Sequence, residues 1–259
     1  MNSRRAKARI VAGASNCFAS IFFLIFIVAI PGAEAQEAAR SFDEVAVPLV
    51  SKGLSFAVKV VINGRATAEL VVDTGSSFTI ISEKMARRIG FKDIGGAPRY
   101  PVSTADGEAW LRLVVFKSVN VGGAISRNVE GAVSPYLGED MDGVIGLSFL
   151  NDFIYKFNGK KKEFTLKRIT GAGPLKGGRA REWWSLRFRR YREAIRRYAS
   201  YLNSHENRLK ARNAEKENNE TRFTENDLKK IVRYYKKLYR MLDKSAQIAD
   251  VPESWKAYP

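Results

Sequence analysis

The sequence is short of the side chains on which many hydrolytic centres depend. Its one cysteine is Cys17, near the N-terminus, and its one histidine is His205, in a polar stretch far along the chain. Beyond Cys17 the chain can therefore form no disulfide, thiol nucleophile or cysteine-bound metal. The lone histidine argues against a histidine base and against a histidine-rich metal site. We expect neither a metal site nor a cofactor.

The first 35 residues have the pattern of an export signal. A basic start containing Arg4 and Arg5 precedes an apolar run over residues 18–30, and Ala33-Glu34-Ala35 follows. This order is typical of a signal peptide, here cleaved after Ala35. The alternative is an uncleaved membrane anchor, although the run is shorter than the roughly 18 apolar residues that usually span a bilayer. Either interpretation predicts a periplasmic or extracellular protein.

Positive charge is abundant and unevenly placed. The formal net charge is +17, and residues 171–259 carry 22 basic and 11 acidic side chains. This excess predicts a second segment with its own surface character.

A carboxylate and hydroxyls follow an apolar run in the middle of the chain. The run Leu70-Val71-Val72 ends in Asp73-Thr74-Gly75-Ser76, and an Asn63-Gly64 hairpin signal precedes it. An ionised Asp at the end of an apolar strand needs hydrogen-bond donors. We expect Gly75, at positive φ, to turn backbone N–H groups toward Asp73. The Ser76 hydroxyl is a further candidate donor.

A second motif follows downstream, where Asp142-Gly143 leads into Val144-Ile145-Gly146 and Leu-Ser-Phe-Leu. Together the two motifs resemble the retropepsin-like aspartic proteases, in particular the single-lobe bacterial clan AA type, over roughly residues 45–168. The resemblance implies that Asp73 is catalytic and that its turn is supported by Thr74, Gly75 and Ser76. It also implies that Val144, Ile145 and Gly146 form a structural strand beneath that turn. Asp142 is then structural, and no hydroxyl follows it.

A hairpin signal lies between the two motifs. Ala105-Asp106-Gly107 separates two strand-like runs, and Asp-Gly is typical of a tight turn. In the resembled family such a hairpin is the flap that closes over the substrate; the alternative is an ordinary surface turn. A short helix capped by Ser82 is expected between the first motif and this hairpin.

One catalytic triplet per chain decides the expected mechanism. Aspartic proteolysis uses two carboxylates that share a proton. We therefore expect a homodimer in which Asp73 of each protomer contributes to the dyad and Thr74 lies at the dimer contact. The predicted function is an exported aspartic endopeptidase acting on protein or peptide substrates. The alternative is a non-catalytic retropepsin-like scaffold, or an envelope-binding protein that uses its basic helices.

The C-terminal part has a different pattern. A Gly-rich linker over residues 171–180 precedes two apolar stripes at helical spacing, the second after a capping box at Thr224. The stripes predict either an antiparallel hairpin or helices that pair between protomers. They consist of Trp184, Phe188, Tyr191, Ile195, Tyr198 and Leu202, and of Leu228, Ile231, Tyr235, Leu238 and Leu242.

The basic faces of these helices suggest contact with an anionic membrane or a cell-envelope polymer, or only a solvated surface. Export argues against nucleic acid as a partner. The predicted architecture is mainly β, with a retropepsin-like lobe over residues 36–170 followed by an α-helical module over residues 181–259.

Overall fold

A computed structural model describes residues 44–104, 107–138, 140–170, 173–211 and 223–257. The predicted export signal and two of the candidate flap residues, Ala105 and Asp106, lie outside the described residues. The strands are β1 Val45–Pro48, β2 Val50–Lys52, β3 Ser55–Ile62, β4 Ala66–Val72, β5 Thr79–Ser82, β6 Arg99–Thr104, β7 Gly107–Val121, β8 Ala124–Ser134, β9 Gly143–Ile145, β10 Phe153–Asn158 and β11 Glu163–Arg168. The helices are α1 Glu83–Arg88, α2 Leu147–Leu150, α3 Arg181–Ala211, α4 Glu225–Ile248 and α5 Glu253–Lys256.

The strands form two sheets. The larger has the order β2-β3-β4-β9-β5-β8-β7-β6, and a further pairing of β3 with β7 curls it back on itself. The smaller has the order β1-β11-β10. Within the large sheet β4 runs parallel to β9 and β5 parallel to β8, whereas the hairpins are antiparallel. This mainly β lobe agrees with the predicted fold class.

Local sequence signals account for several of the turns and caps. Asn63 and Gly64 both adopt positive φ, of 55° and 64°, as a tight β3–β4 hairpin requires. The Ser82 hydroxyl accepts a hydrogen bond from the Met85 backbone N–H and so begins α1. Thr224 and Asp227 form a complete capping box at the start of α4. These predictions are confirmed.

The apolar side chains form two separate cores. The first lies inside the curled sheet, with Phe116, Phe149, Phe164 and Leu70 fully buried. The second lies between the outer face of the sheet and the two long helices. Because successive strand residues point to opposite faces, β7 serves both cores: Phe116 enters the first, whereas Leu111 and Leu113 enter the second.

Helices α3 and α4 form an antiparallel hairpin within the chain. Phe188 packs edge-on against Tyr239, and Tyr198 stacks on Tyr235 with ring centroids 5.9 Å apart. Both predicted stripes are buried or half-buried along their length. Tyr234 reaches the sheet instead, where its hydroxyl donates to the Val114 carbonyl over 3.0 Å. The helical module therefore packs on the β lobe.

The segment that joins the lobe to α3 is fixed in its described part. The Lys176 ammonium lies 2.9 Å from the Asp250 carboxylate, and the Trp184 indole N–H donates to the Lys176 carbonyl over 3.0 Å. No helix among the described ranges is both long enough and apolar enough to cross a membrane.

Candidate active site

Strand β4 delivers Asp73 into a tight turn at the edge of the lobe. The Asp73 N–H donates to the Ile145 carbonyl over 3.1 Å, which fixes the backbone as the strand ends. The Gly75 N–H donates to Asp73 Oδ1 over 2.8 Å. Asp73 is half-buried, whereas Thr74 and Gly75 are exposed. The turn thus presents a carboxylate held by its own backbone.

Two details of the predicted turn are wrong. Gly75 is not among the residues at positive φ; a Cβ there would lie 3.2 Å from Asp73 Oδ1, a tight contact that would shift the carboxylate. The Ser76 hydroxyl does not serve Asp73, because it donates to the Phe78 carbonyl over 2.7 Å. Ser76 therefore closes the turn onto β5 rather than supplying a donor to the carboxylate.

The second motif lies directly against this turn. Strand β9 pairs in parallel with β4, and just beyond it the Leu147 N–H donates to the Ser76 carbonyl over 2.8 Å. A Cβ at Gly146 would approach the Phe78 carbonyl oxygen to 2.2 Å, so only glycine fits there. The placement of Val144, Ile145 and Gly146 is the one expected of a supporting strand.

Two residues that the sequence analysis did not select complete this support. The buried Ser148 hydroxyl accepts the Thr79 N–H over 2.8 Å and lies 3.2 Å from the Thr79 hydroxyl. Both hydroxyls are buried and join α2 to β5. The Leu-Ser-Phe-Leu sequence after Gly146 was the available signal, since a serine inside an apolar run needs a partner.

Asp142 lies away from Asp73. Its carboxylate accepts the Glu69 N–H over 3.0 Å and lies 3.9 Å from the Arg88 guanidinium. The β4–β9 register pairs Leu70 with Gly143, so Asp142 is about four residues, or roughly 13 Å, from Asp73 along the strand. This carboxylate stabilises the start of the strand pair and is not positioned to share a proton with Asp73.

The candidate flap is the β6–β7 hairpin. Its strands pair from Arg99 with Arg112 to Thr104 with Gly107. The Thr104 hydroxyl donates to the Gly107 carbonyl over 2.8 Å, and Gly107 has a φ of 115°. Residues 100–104 of β6 and the first part of β7, at Glu108, Ala109 and Leu111, line the cleft that contains Asp73.

A cleft of about 1010 Å³ opens above Asp73. Its walls come from the Asp73 turn, the strands of the candidate flap, the loop after β8 and, unexpectedly, the helical module. The α3 side contributes Arg190, Glu193, Ala194, Arg197 and Tyr198. Their spacing of three and four residues places them on one face of the helix.

Aromatic rings connect the helical wall to the flap. The Tyr198 hydroxyl donates to the Tyr100 hydroxyl over 3.1 Å, and Tyr100 packs edge-on against Phe78 with ring centroids 5.6 Å apart. Burial raises the pKa of Tyr198 and of Tyr235 well above the ordinary tyrosine value. These hydroxyls therefore remain neutral at physiological pH and act as hydrogen-bonding groups.

A buried ionic cluster fixes α3 to the lobe. The Asp152 carboxylate lies 2.8 Å from Arg179 and 2.9 Å from Arg187, and accepts the Trp183 indole N–H over 2.8 Å. Burial alone would raise the pKa of Asp152, but the charges of Arg187 and Arg179 and the hydrogen bond from Ser126 hold it below its ordinary value. Burial lowers the pKa of Arg179 to about 10. Asp152 remains ionised and anchors the helix.

The helical wall of the cleft was not predicted from the sequence. The aromatic stripe predicted a buried helix face, but no local pattern indicated that Tyr198 and Arg197 would lie near Asp73. The only histidine, His205, is not among the residues lining the cleft. No group of three potential metal ligands occurs within the described ranges.

The part of the chain that contains Asp73 is similar to a known protein family. Residues 58–149 match the family model for the aspartyl proteases. The matched segment runs from β3 into α2 and contains both motifs. This part of the β lobe is thus similar to the aspartyl proteases, and the α3–α4 hairpin lies outside the matched residues.

One of the solved structures that the chain resembles is a retropepsin-like aspartic protease from Rickettsia conorii. The two share 19% sequence identity, with a TM-score of 0.36, over 48% of this chain and 90% of that one. No curated protein matches the chain.

Proposed function

We propose that the protein is an aspartic endopeptidase that hydrolyses peptide bonds in protein or peptide substrates. The observation that carries the proposal is the Asp73 carboxylate, held 2.8 Å from the Gly75 N–H at the floor of a cleft of about 1010 Å³. Pockets of this size accommodate a ligand of several residues or a drug-sized molecule. The flap strands along one side supply edges with which an extended peptide can pair.

The catalytic dyad is proposed to form between two copies of the chain. Among the described residues no carboxylate hydrogen-bonds to Asp73. The Asp142 carboxylate instead accepts the Glu69 N–H at the other end of the β4–β9 pair. Thr74 and Gly75 are exposed beside Asp73. A two-fold axis passing this turn would place the two Asp73 side chains together.

In such a dyad one carboxyl group acts as a general base and the other as a general acid. Two carboxylates held close together cannot both be ionised, so they share one proton. The ionised group draws a proton from a water molecule as that water attacks the scissile carbonyl carbon. The protonated group donates its proton to the carbonyl oxygen. The carboxyl group that took the proton from water then donates it to the amide nitrogen, while the other carboxylate takes a proton back from a hydroxyl of the tetrahedral intermediate. The C–N bond breaks, which releases the amine and the new carboxylic acid.

Replacing Asp73 by asparagine tests the assignment. Asp73→Asn keeps the acceptor for the Gly75 N–H but cannot act as a base, so we expect cleavage of a diverse peptide mixture to fall to background. Asp93→Asn is the matched control. Like Asp73, Asp93 accepts a hydrogen bond through Oδ1 from a nearby backbone N–H, that of Gly96 three residues later, over 2.8 Å. Unchanged proteolysis by Asp73→Asn would exclude Asp73 as the catalyst and favour the non-catalytic scaffold.

Export is also proposed, on the signal-like pattern of residues 1–35. The expected mature N-terminus is Gln36. Expression in a bacterial host, fractionation and N-terminal mass spectrometry measure it. A full-length chain recovered from the cytosol with Met1 intact would contradict both the cleaved signal and the exported anchor.

Binding to an anionic envelope surface is a second candidate function, and α4 is the helix that favours it. Three arginines of α3 have partners within the molecule: Arg187 pairs with Asp152, Arg190 with Glu130, and Arg192 donates to the Lys256 carbonyl. The exposed basic side chains of α4 are Arg233, Lys236, Lys237, Arg240 and Lys244. We expect the protein to bind vesicles in which about one lipid in three is anionic. It should bind them in low salt and be released in high salt. Salt-independent binding would contradict the electrostatic origin.

A further inference from the structure

The face of α3 that lines the cleft carries both signs of charge. Arg190 and Arg197 lie there with Glu193, and Glu108 lies across from them at the start of β7. A charged side chain in a substrate cleft selects a substrate only if its charge is not already neutralised by a neighbour. The partners of these four side chains therefore decide what the cleft recognises.

Three of the four charges have partners. The Arg190 guanidinium lies 3.1 Å from Glu130, a carboxylate whose side chain is only 5% exposed. The Glu193 carboxylate lies 4.0 Å from Arg189 on the preceding turn of the helix, and Glu108 also has an interaction partner. Arg197 differs, because among the described residues no carboxylate lies within salt-bridge distance of it.

The surroundings of Arg197 suit a charged ligand. Arg197 is exposed, and its neighbour Tyr198 on the same wall of the cleft is 6% exposed and packs against the rings of Tyr100 and Tyr235. Attraction between opposite charges is stronger beside such a wall than in open water. A guanidinium presents a planar fork of donors that matches a carboxylate.

We propose that Arg197 is a specificity-determining residue that favours substrates with an aspartate or glutamate side chain at the subsite on the α3 side of the cleft. The inference rests on the proposed peptidase function for its biological meaning. The carboxylate of the substrate binds the guanidinium, while the peptide backbone lies along the flap strands toward Asp73. Arg197 takes no part in bond cleavage.

Binding to the full chain in the Asp73→Asn background tests this separately from catalysis. The probes are octapeptides of alanine, leucine and phenylalanine that carry one glutamate at each position in turn, and the same set with glutamine. We expect one glutamate position to bind about tenfold more tightly than its glutamine counterpart, since a charge-assisted hydrogen bond is worth this much. Calorimetry measures both affinities.

Substitution of the arginine supplies the decisive comparison. Arg197→Gln should remove the preference for glutamate, and Arg197→Glu should reverse it in favour of a lysine-containing peptide. Arg196→Gln is the matched control: Arg196 is the adjacent exposed arginine and does not line the cleft, so its replacement should leave the preference intact.

The two proposals fail in different ways. Equal affinity for the glutamate and glutamine sets, absence of binding to both, or a preference that survives Arg197→Gln would overturn the role of Arg197. Absence of cleavage of every peptide by the unsubstituted protein would instead overturn the peptidase function. A preference for glutamate in binding would still support the Arg197 subsite in that case.

Discussion

At the scale of single residues, Gly75 and Gly146 are restricted by close contacts and not by unusual dihedral angles. Gly75 is expected at positive φ from the sequence, yet its backbone is not left-handed. A Cβ at this position would lie 3.2 Å from Asp73 Oδ1, so a side chain would press on the carboxylate. Gly146 has the same restriction against the Phe78 carbonyl, but there the neighbour is backbone and cannot rotate away.

Gly146→Ala is therefore predicted to damage the site and the fold together. The added methyl group would lie 2.2 Å from the Phe78 oxygen and 2.6 Å from the Ser76 oxygen, so the strand and the turn must separate. We expect the free energy of unfolding to fall by about 1–3 kcal/mol, as for other overpacked sites. Chemical denaturation measures the loss, and peptide cleavage should fall with it.

The matched control for this change is Gly138→Ala, since nothing lies within 4 Å of a Cβ built at Gly138. That variant should unfold at the same denaturant concentration as the unsubstituted protein. A Gly146→Ala protein of unaltered stability and activity would show that β9 does not brace the turn.

At the scale of elements, the buried Asp152 cluster decides how the long helices attach. Two guanidinium groups and an indole converge on one carboxylate at the start of β10. Arg179 and Arg187 also lie on the Trp183 ring, with their central carbons 4.6 Å and 4.5 Å from its centroid. Removing the carboxylate charge leaves two cations buried without a counterion.

Asp152→Asn is predicted to destabilise the protein by about 3–5 kcal/mol, the usual cost of breaking a buried ion pair. Because the pKa of Asp152 is lowered in the folded state, its contribution is fully present above the unfolded value of about 4. It is lost as the pH falls through the folded pKa. The variant should therefore show a weaker dependence of stability on pH in acid. Denaturation across acid to neutral pH measures both effects.

Asp250→Asn is the control for that experiment. Asp250 pairs with Lys176 over 2.9 Å, but its side chain is 96% exposed, so the same substitution should leave stability unchanged. If the two variants were equally stable, the cluster at Asp152 would not hold the helices on the lobe.

The elements differ in how far the sequence predicts them. The Asn63-Gly64 turn, the Ser82 cap and the Thr224 capping box follow from short-range chemistry, and all three are correct. The helical stripes are also correct, because a period of 3.6 residues determines which side chains share a face. Each of these features depends on residues close together in the chain.

The location of the helices could not be predicted in the same way. An apolar stripe indicates that a helix face is buried but does not identify the surface that buries it. The receiving surface consists of Phe78, Leu111, Leu113 and Ala132, which lie on or beside three different strands. In a strand that is buried on both faces, such as the one that carries Leu111 and Leu113, the apolar residues resemble those of an ordinary core strand. The sequence therefore does not show that one face of the strand receives a helix. For the same reason the place of Arg197 in the cleft that contains Asp73 has no signal in the sequence.

At the scale of the whole molecule, the described residues make a cleft that is walled by a β lobe and by a helical hairpin but has one candidate catalytic carboxylate. The flap strands and α3 line two of its sides. The exposed Thr74-Gly75 turn lies at the edge where a second copy would have to approach. The proposed dyad therefore makes the oligomeric state the property to test.

Mixing active and inactive chains tests whether the dyad is shared. In a dimer that pairs an unsubstituted chain with an Asp73→Asn chain, no second carboxyl group is present to hold the shared proton. After subunit exchange with an equal amount of Asp73→Asn protein, about a quarter of the dimers should contain two unsubstituted chains. The total activity of the unsubstituted protein should thus fall to about half, because half of its chains are now in inactive mixed dimers. Addition of the same amount of Asp93→Asn protein should raise the activity instead. Native mass spectrometry verifies that exchange has occurred. If exchange is complete and Asp73→Asn leaves the activity of the unsubstituted chains unchanged, each chain acts alone and the second carboxyl group must come from within it.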